Sequence, residues 1–389
     1  MIKIKKERVL LTPEDIKPSL KNLKVLGVFN PAAARLPNGD IILYARVWEK
    51  LIKDDEKDED GEYFYSPRFI GKKELNIKID KFEKKLISDN SDLDFLFKDG
   101  TKRLTYISHL RKIILDSNGF KIKSIDKKPS FYGLTWDGEL GIEDPRIVKI
   151  GDLYVMTYVS LSIKSNISTS YAISHDCIHW HRRGIIFREQ NKDVVIFPEK
   201  VRGKYVAFDR PEGSFQFTPP HIWISYSKDL EFWGEPKSLF FSKKGEWDYA
   251  RVGSGPPPIK TDKGWLLIYH GVVNIKKHKI KEPMFDKIKN FVKSFFHEED
   301  NAEYTYCVGA ALFDLKNPKK LISKTKHPII IPRKSYEKGP WENMRVVFPT
   351  GLVLDKDKRY ILLYSGGGDK VITVKKIKLS EVFKKMKKD

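Results

Sequence analysis

Cysteine is nearly missing from this chain: 389 residues carry two, Cys177 and Cys307, far apart and with no Cys-x-x-Cys pair. That excludes a disulfide framework and fits a reducing compartment. No run of eighteen apolar residues occurs, so no membrane-spanning helix is expected. The N-terminus, MIKIKKERVLL, starts charged but has no apolar stretch leading to a small-residue cleavage site. It reads as that of an unexported, cytoplasmic protein. Helical periodicity is scarce, and the strand–helix alternation that a parallel sheet needs is absent. What is there is ample: 40% hydrophobic and 12% aromatic residues supply a large core, and the formal charge is +21. The lysines behind that charge are scattered among Ile, Val and Glu, with no nucleic-acid-binding motif beside them. They read as a solvated surface, part of which can draw in an anionic substrate.

One pattern is written five times: a proline, a few apolar residues, a tight polar turn, then an apolar run ending in an aromatic. The copies are NPAAARLPNGDIILYAR from Asn30, DPRIVKIGDLYVMTYVS from Asp144, FPEKVRGKYVAFDR from Phe197, GPPPIKTDKGWLLIYHG from Gly255 and FPTGLVLDKDKRYILLYSGG from Phe348. From proline to aromatic is thirteen residues at Pro31–Tyr44, Pro145–Tyr158 and Pro256–Tyr269, fifteen at Pro349–Tyr364 and ten at Pro198–Phe208. Units that cannot bury a face alone must stack or close into a ring. Between them, SYAISHDCIHWH (170–181) and HIWISYSKDLEFW (221–233) each hold a Ser and then Asp-x-x-x-Trp, the mark of a hairpin closed by its Trp. About three to four strands per repeat predicts an all-β, five-bladed β-propeller. We read residues 1–389 as one such domain, with an N-terminal arm over 1–25, a helical insertion over 275–303 after the fourth repeat, and a C-terminal tail over 376–389. In that insertion PMFDKIKNFVKSFFH (283–297) predicts an amphipathic helix carrying Phe285, Ile288, Val292 and Phe295 on one face. It would pack on the body or against a neighbour in a homo-oligomer, cover the site, or lie on a membrane surface. The charged run at 53–62 reads as a solvated loop.

In a propeller the loops at one mouth of the channel converge, so polar residues at the repeat edges are candidates as a set. Those edges supply Asn30 and Arg46, then Glu143, Asp144 and Arg146, then Lys192, Lys200 and Arg210, then His270 and Asp369. Carboxylates among several cations suit an anionic co-substrate beside a neutral polyol: the cations grip phosphate and a carboxylate moves a proton. The segment His175, Cys177, His179, His181 mimics a metal cluster. Its hairpin twin at 227–233 has no histidine, so a plain hairpin is the expectation and no metal site is predicted.

The motifs GIEDPRI (141–147), FPEK (197–200), DRP (209–211), GSGPPPI with GWLLIYHGV (253–273), VGAALFDL (308–315), VVFPTG (346–351) and SGGGD (365–369) together resemble the serial motifs of glycoside hydrolase family 130. The resemblance runs from about residue 25 to 375. It implies a five-bladed propeller acting on β-mannosides as an inverting phosphorylase, a glycosyltransferase-type enzyme that splits β-1,2 or β-1,4 linkages, or mannosyl-glucose, with inorganic phosphate. The product is α-mannose 1-phosphate, and no metal or organic cofactor is implied. Asp144 matches the general acid, whose proton passes through the mannose 3-hydroxyl. Phosphate fills the place of the nucleophile, so no second catalytic carboxylate is needed. The phosphate cradle is expected from Lys192, Lys200, Arg210, His270 and Tyr306, and the mannoside contacts from Asn30, Arg46, Glu143, Arg146 and Asp369. Family members that hydrolyse lack part of the cationic set. Arg210 and His270 are kept here, which favours phosphorolysis, with a water-using β-mannosidase and a non-catalytic polyanion-binding propeller as the rivals.

Overall fold

A computed structural model describes residues 1–52, 62–213, 215–274, 304–339 and 343–386. After β1 (Ile4–Leu11), the first repeat folds as the antiparallel pair β2 (Leu23–Arg35) and β3 (Ile41–Leu51). Two small sheets follow: β4 (Tyr63–Phe69) with β5 (Ile77–Glu83), and β6 (Ile87–Asn90), β7 (Asp94–Phe97) and β8 (Lys102–Leu104). Then β9 (Tyr106–Leu115) and β10 (Ile122–Ile125) complete a four-stranded sheet in the order β10-β9-β3-β2. The second repeat gives β11 (Gly141–Ile150) and β12 (Leu153–Ser162), extended by β13 (Asn166–Ser174) and β14 (His181–Phe187). The third gives β15 (Asn191–Ile196) and β16 (Tyr205–Pro211), extended by β17 (Ile222–Ser227) and β18 (Trp233–Phe240). In the fourth the first strand is split into β19 (Arg251–Ser254) and β20 (Ile259–Thr261), both paired with β21 (Gly264–Asn274), before β22 (Tyr304–Phe313) and β23 (Leu321–Lys324). The fifth gives β24 (Met344–Leu354) and β25 (Tyr360–Gly367), then β26 (Val371–Lys378), whose free edge is taken by β1. A short parallel pairing of β22 with β24 merges the last two groups into one nine-stranded sheet. The chain is thus nearly all-β, with one α-helix among the described residues, α1 (Leu379–Met386).

All five repeats therefore become neighbouring antiparallel strands, as their alternation of β-branched and aromatic residues predicts. The core lies between the five strand groups. Tyr44 and Leu110 of the first group share a cluster with Ile142 and Met156 of the second. Val155 of the second meets Val194 and Ala207 of the third. Phe208 of the third meets Trp265 and Phe313 of the fourth. Ile268 and Val308 of the fourth meet Leu363 of the fifth. Leu362 and Val374 of the fifth return to Leu43 and Ile113 of the first. The closing aromatics of the repeats are buried, and four have hydroxyls that donate sideways: Tyr44 to Cys177 O, Tyr158 to Asp137, Tyr269 to Asp248 and Tyr364 to Gly119 O. Burying a tyrosine ring obliges its hydroxyl to find a partner, so these bonds fix how far each ring can slide.

The two Asp-x-x-x-Trp segments form the same turn. In each, the Ser hydroxyl (Ser174, Ser227) donates to the Asp carboxylate, which accepts two backbone N–H groups further on. The histidine-rich copy is this turn and not a strand face, and among the described residues no group of three His, Cys, Asp or Glu could hold a metal ion. Both cysteines are buried and unpaired. The N-terminal arm carries the fourth strand of the last group, so the two ends of the chain are joined by a β-ladder. The C-terminal tail is packed too: β26 runs to Lys378, and α1 buries Val382 and Met386 beside Ile2. The predicted helical insertion, 275–303, lies outside the described residues, as does most of the charged run at 53–62. Among the described residues no helix is long and apolar enough to cross a membrane.

Candidate active site

The repeats carry a shared irregularity. In β2, β11, β15 and β24 the register against the next strand slips by one residue, between Phe29 and Ala32, Glu143 and Arg146, Lys192 and Val195, and Pro349 and Gly351. A bulge of this kind turns one side chain out of the ladder. Asn30, Asp144 and Asp193 occupy the first three bulges with φ of 45°, 45° and 55°, a left-handed backbone that Asn and Asp tolerate best among residues with a Cβ.

Asn30 and Asp144 meet directly, and Arg146 links Asp144 to Asp193. Asn30 Nδ2 donates to Asp144 Oδ1 at 2.9 Å. Arg46 from β3 donates through Nη1 to the same oxygen at 3.2 Å and through Nη2 to Glu143 Oε1 at 2.5 Å, with its guanidinium over the Phe29 ring. Tyr106 and Ser108 also reach Glu143. Asn30 Oδ1 is buried without a partner among the described residues, and a Cβ on Gly366 would stand 2.2 Å from it. A side chain at that position of the SGGGD motif would therefore displace Asn30.

On the other side of Asp144 lies a buried ion network centred on Asp193. Its Oδ1 accepts from Arg146 Nη2 at 3.1 Å, its Oδ2 accepts from Arg210 Nε at 2.7 Å, and His270 Nε2 stands 3.5 Å from the same Oδ2. Arg210 Nη1 then donates to Glu212 Oε2 at 2.5 Å, and Glu212 Oε1 accepts from Arg251 Nη2 at 2.7 Å. Arg251 Nη1 donates to the Tyr306 hydroxyl at 3.1 Å. His270 packs on Phe348 at 4.4 Å between centroids, with Tyr306 beyond. Gly253 is required here, since a Cβ on it would stand 2.3 Å from His270 and 2.4 Å from Asp193 Oδ2.

The electrostatics divide the site. Burial works to raise the Asp144 carboxyl, but Arg46, Arg146, the Asn30 amide and Lys192 outweigh it and hold the group below the usual range. Asp193 is held far lower, chiefly by the Arg210 and Arg146 guanidiniums, against the same burial penalty. Burial lowers His270 to about 3, with Arg210, Arg146 and Arg251 adding to the fall, so it is neutral at pH 7. Burial raises Asp369 to about 6, helped by the charges of Asp144 and Glu143 and opposed by Arg46. A carboxylate accepts sugar hydroxyls better than a carboxylic acid does. The pH profile of kcat/KM should therefore rise through a pKa near 6 as Asp369 ionises, and Asp369→Asn should remove that limb. For stability the sign is opposite. Asp369 contributes fully only below the ordinary aspartate value, and that contribution is lost as pH rises through about 6.

Of the residues picked from sequence, Asn30, Arg46, Glu143, Asp144, Arg146, Arg210 and His270 lie in one connected set. Tyr306 joins it through Arg251. Asp369 and Lys192 join it electrostatically, Lys192 acting on both Asp144 and Glu212. Arg146 is buried and bonded to Asp193, Gly255 O and Asp144 O, which makes it a brace for the Asp144 backbone. Lys200 is the exception. It is exposed in the turn between β15 and β16, over the Tyr205 ring, at the opposite end of that pair from Lys192 and Arg210. Lys200→Ala should leave the KM for phosphate within about twofold of the parent, as expected for a solvated surface charge; a large rise would return it to the cradle.

Sequence reasoning missed Asp193, Glu212 and Arg251. The third repeat had been anchored on Pro198, which lies near the hairpin turn, whereas its bulge is Asp193–Val194 and has no proline. Spacing holds the signal: Asn30 and Asp144 each stand fourteen residues before their closing Tyr44 and Tyr158, and fifteen before Phe208 is Asp193.

The chain is similar to known proteins. The sequence model of a family described as beta-1,4-mannooligosaccharide phosphorylase, in glycoside hydrolase family 130, matches residues 104–388. A beta-1,2-mannobiose phosphorylase of Listeria innocua is 32% identical over 389 residues, 97% of this chain and 96% of its own length. A 1,2-beta-oligomannan phosphorylase of a Thermoanaerobacter species is 34% identical over 279 residues, 71% of this chain and 81% of its own. The solved structure of the Listeria innocua beta-1,2-mannobiose phosphorylase with beta-1,2-mannobiose superposes with a TM-score of 0.78, at 31% identity, over 97% of this chain and 96% of that one. The family model and these relatives show it: the chain belongs to glycoside hydrolase family 130.

Proposed function

We propose that this protein is an inverting β-mannoside phosphorylase acting on β-1,2-linked manno-oligosaccharides. The observation that carries the reading is the two-sided site: Asp144 with Asn30 and Arg46 on one side, and Arg210, Arg251, His270 and Tyr306 on the other, tied together through Asp193. The mannosyl unit to be transferred lies between them, against Asn30, Arg46 and Asp369. A phosphate oxygen held by the cationic side attacks C1 as the bond from C1 to the leaving oxygen breaks. Asp144 supplies the proton through the mannose 3-hydroxyl, and inversion gives α-mannose 1-phosphate. A hydrolase would need a carboxylate base on the face opposite the acid; the carboxylates there, Asp193 and Glu212, are each held by two arginines. Arginine in such number suits a dianion.

The same geometry lets phosphate prepare its own acid. Before binding, the nearby cations favour ionised Asp144. A phosphate dianion among them offsets their field and moves the Asp144 pKa upward, toward the protonated form that catalysis needs. The preference for β-1,2 linkages rests on the two relatives named for such substrates, which align over most of the chain.

We further infer that the five sheets are the blades of a five-bladed propeller with this site at one mouth of its channel. The cyclic sequence of shared clusters, from first group to fifth and back to the first, supports that reading. Two buried unpaired cysteines fit a cytoplasmic setting. The test is phosphate dependence. With β-1,2-mannobiose, cleavage should saturate with phosphate concentration and fall to background without it, and Arg210→Ala should raise the KM for phosphate far more than that for the mannoside. Cleavage that ignores phosphate would favour the β-mannosidase.

A further inference from the structure

Lys375 stands where a lysine is least expected, in the middle of β26 with 1% of its surface exposed. An isolated buried ammonium is unfavourable, so its partners must explain it. Its Nζ lies 3.0 Å from Oε1 of Glu7, its cross-strand neighbour on β1, and donates to Thr373 Oγ1 at 3.1 Å. Further off, at 3.9 Å, is Oε1 of Glu337, a carboxylate on a residue that is itself 2% exposed. The Tyr336 hydroxyl donates to the same Glu7 oxygen at 3.3 Å. Two carboxylates and a cation thus join three segments far apart in sequence: β1, β26 and the single turn at Ser335–Glu337.

Stability alone does not account for such a cluster, because apolar side chains of similar volume often match or better a buried ion pair. What charges and hydrogen bonds add is direction. Glu337 Oε2 accepts from the backbone N–H of Arg333 and, at 2.8 Å, from that of Lys334, which winds the segment into its turn. The other oxygen faces Lys375, so the turn is fixed relative to β26.

That turn rests on the loop that carries Asp369. A Cβ on Gly368 would stand 2.2 Å from Lys338 O and 2.7 Å from Tyr336 O, and one on Gly367 would stand 3.4 Å from the Tyr336 ring. Gly368 and Asp369 are both left-handed, at φ 58° and 55°. A side-chain-bearing residue keeps such a backbone where its surroundings dictate it. Here they act from two flanks. On one, Val28 N–H of β2 donates to Lys370 O at 3.0 Å, and a Cβ on Gly27 would stand 2.4 Å from Asp369 O. On the other is the 335–338 turn. The charges acting on the Asp369 carboxyl itself are those of Arg46, Asp144 and Glu143.

We propose that Lys375, Glu337 and Glu7 are positioning residues for Asp369: they press the 335–338 turn onto Gly368 and so set where the mannoside-binding carboxylate stands. The proposal rests on the reading of Asp369 as a mannoside contact given above. Through Glu7 it also gives the N-terminal strand a share in the site.

The test is the double variant Lys375→Met with Glu337→Leu. It puts apolar side chains of similar size in place of the buried charges and leaves the part-exposed Glu7 to water, so it should fold and melt near the parent. Its KM for β-1,2-mannobiose should rise about tenfold, the loss expected when a charge-assisted hydrogen bond goes slack, and its KM for phosphate should stay within about twofold. The pH profile supplies a readout that support of the fold alone would not move. A carboxyl released from burial gains water and its pKa falls, so the limb near 6 should shift to lower pH. Loss of a cation acting directly on Asp369 would shift it upward instead. In Glu337→Gln the amide oxygen can still accept from Arg333 and Lys334, so the KM rise should be smaller, about threefold. A double variant with parent KM values and an unmoved limb, or with both KM values raised alike, would overturn the proposal. Calorimetry with mannobiose in the absence of phosphate separates it from the phosphorylase reading. Weaker binding by the double variant than by the native protein, with no mannose 1-phosphate from either, would sink that reading and leave the positioning role standing. Phosphorolysis with equal mannobiose binding in the two would do the reverse, and binding by neither would overturn both.

Discussion

Asp144→Asn should cut kcat by about 10²- to 10⁴-fold, the range a positioned general acid contributes, with little change in melting temperature. The substitution is nearly isosteric, and asparagine tolerates the φ of 45° that the bulge imposes. An Asn carbonyl oxygen can still accept from the Asn30 amide at 2.9 Å and from Arg46 at 3.2 Å, so the local bonding survives. What is lost is the proton. Substrates with good leaving groups, which need less protonation, should lose far less activity than mannobiose does. Near-normal turnover of mannobiose by the folded variant would remove Asp144 from the mechanism.

Asp193→Ala should be the most damaging single change to stability in the site. It removes the carboxylate that holds Arg146, Arg210 and His270, leaving buried Arg146 with only backbone carbonyl acceptors and Arg210 with Glu212 alone. Breaking a buried pair from one side costs about 3–5 kcal/mol, read as a lower denaturant midpoint at unchanged slope. Asp193→Asn, which keeps the shape and one acceptor, should recover part of that. Function should fail on one axis first: Arg210 loses the bond that aims it, so the KM for phosphate rises before that for the mannoside. The pH dependence has a defined sign. Because Asp193 is held well below its ordinary value, its contribution is complete above that value and is lost as pH falls toward the folded one. An Asp193→Ala protein as stable as the parent would show that the network is ornamental.

Much of this is legible in the sequence. The proline-to-aromatic repeats announced five strand pairs, because a period-2 apolar pattern around a polar turn has few other solutions. Asn30, Asp144, Arg210 and His270 were legible as charged or amide groups at repeat edges, where local polarity interrupts an apolar run. Asp193 was not, because the third repeat lacks the proline that marks the bulge elsewhere and supplies a different proline five residues later, at Pro198. Arg251 and Glu212 were hidden for another reason. Their pairing crosses from the third group to the fourth, and nothing local distinguishes them from solvated charges. Lys200 illustrates the converse: a cation beside a repeat proline points outward once the strand ends at Ile196. The closure of the chain by β1 on β26 depends on partners at opposite ends of the sequence, and no periodicity records it.

The central claim is that phosphate, not water, takes the mannosyl unit. NMR of a reaction containing the protein, β-1,2-mannobiose and inorganic phosphate tests it most directly, with the phosphorus signal and the anomeric proton followed together. The account predicts α-mannose 1-phosphate and free mannose appearing in equal amounts while inorganic phosphate is consumed. Mannose as the sole product, with the phosphate signal unchanged, would contradict it.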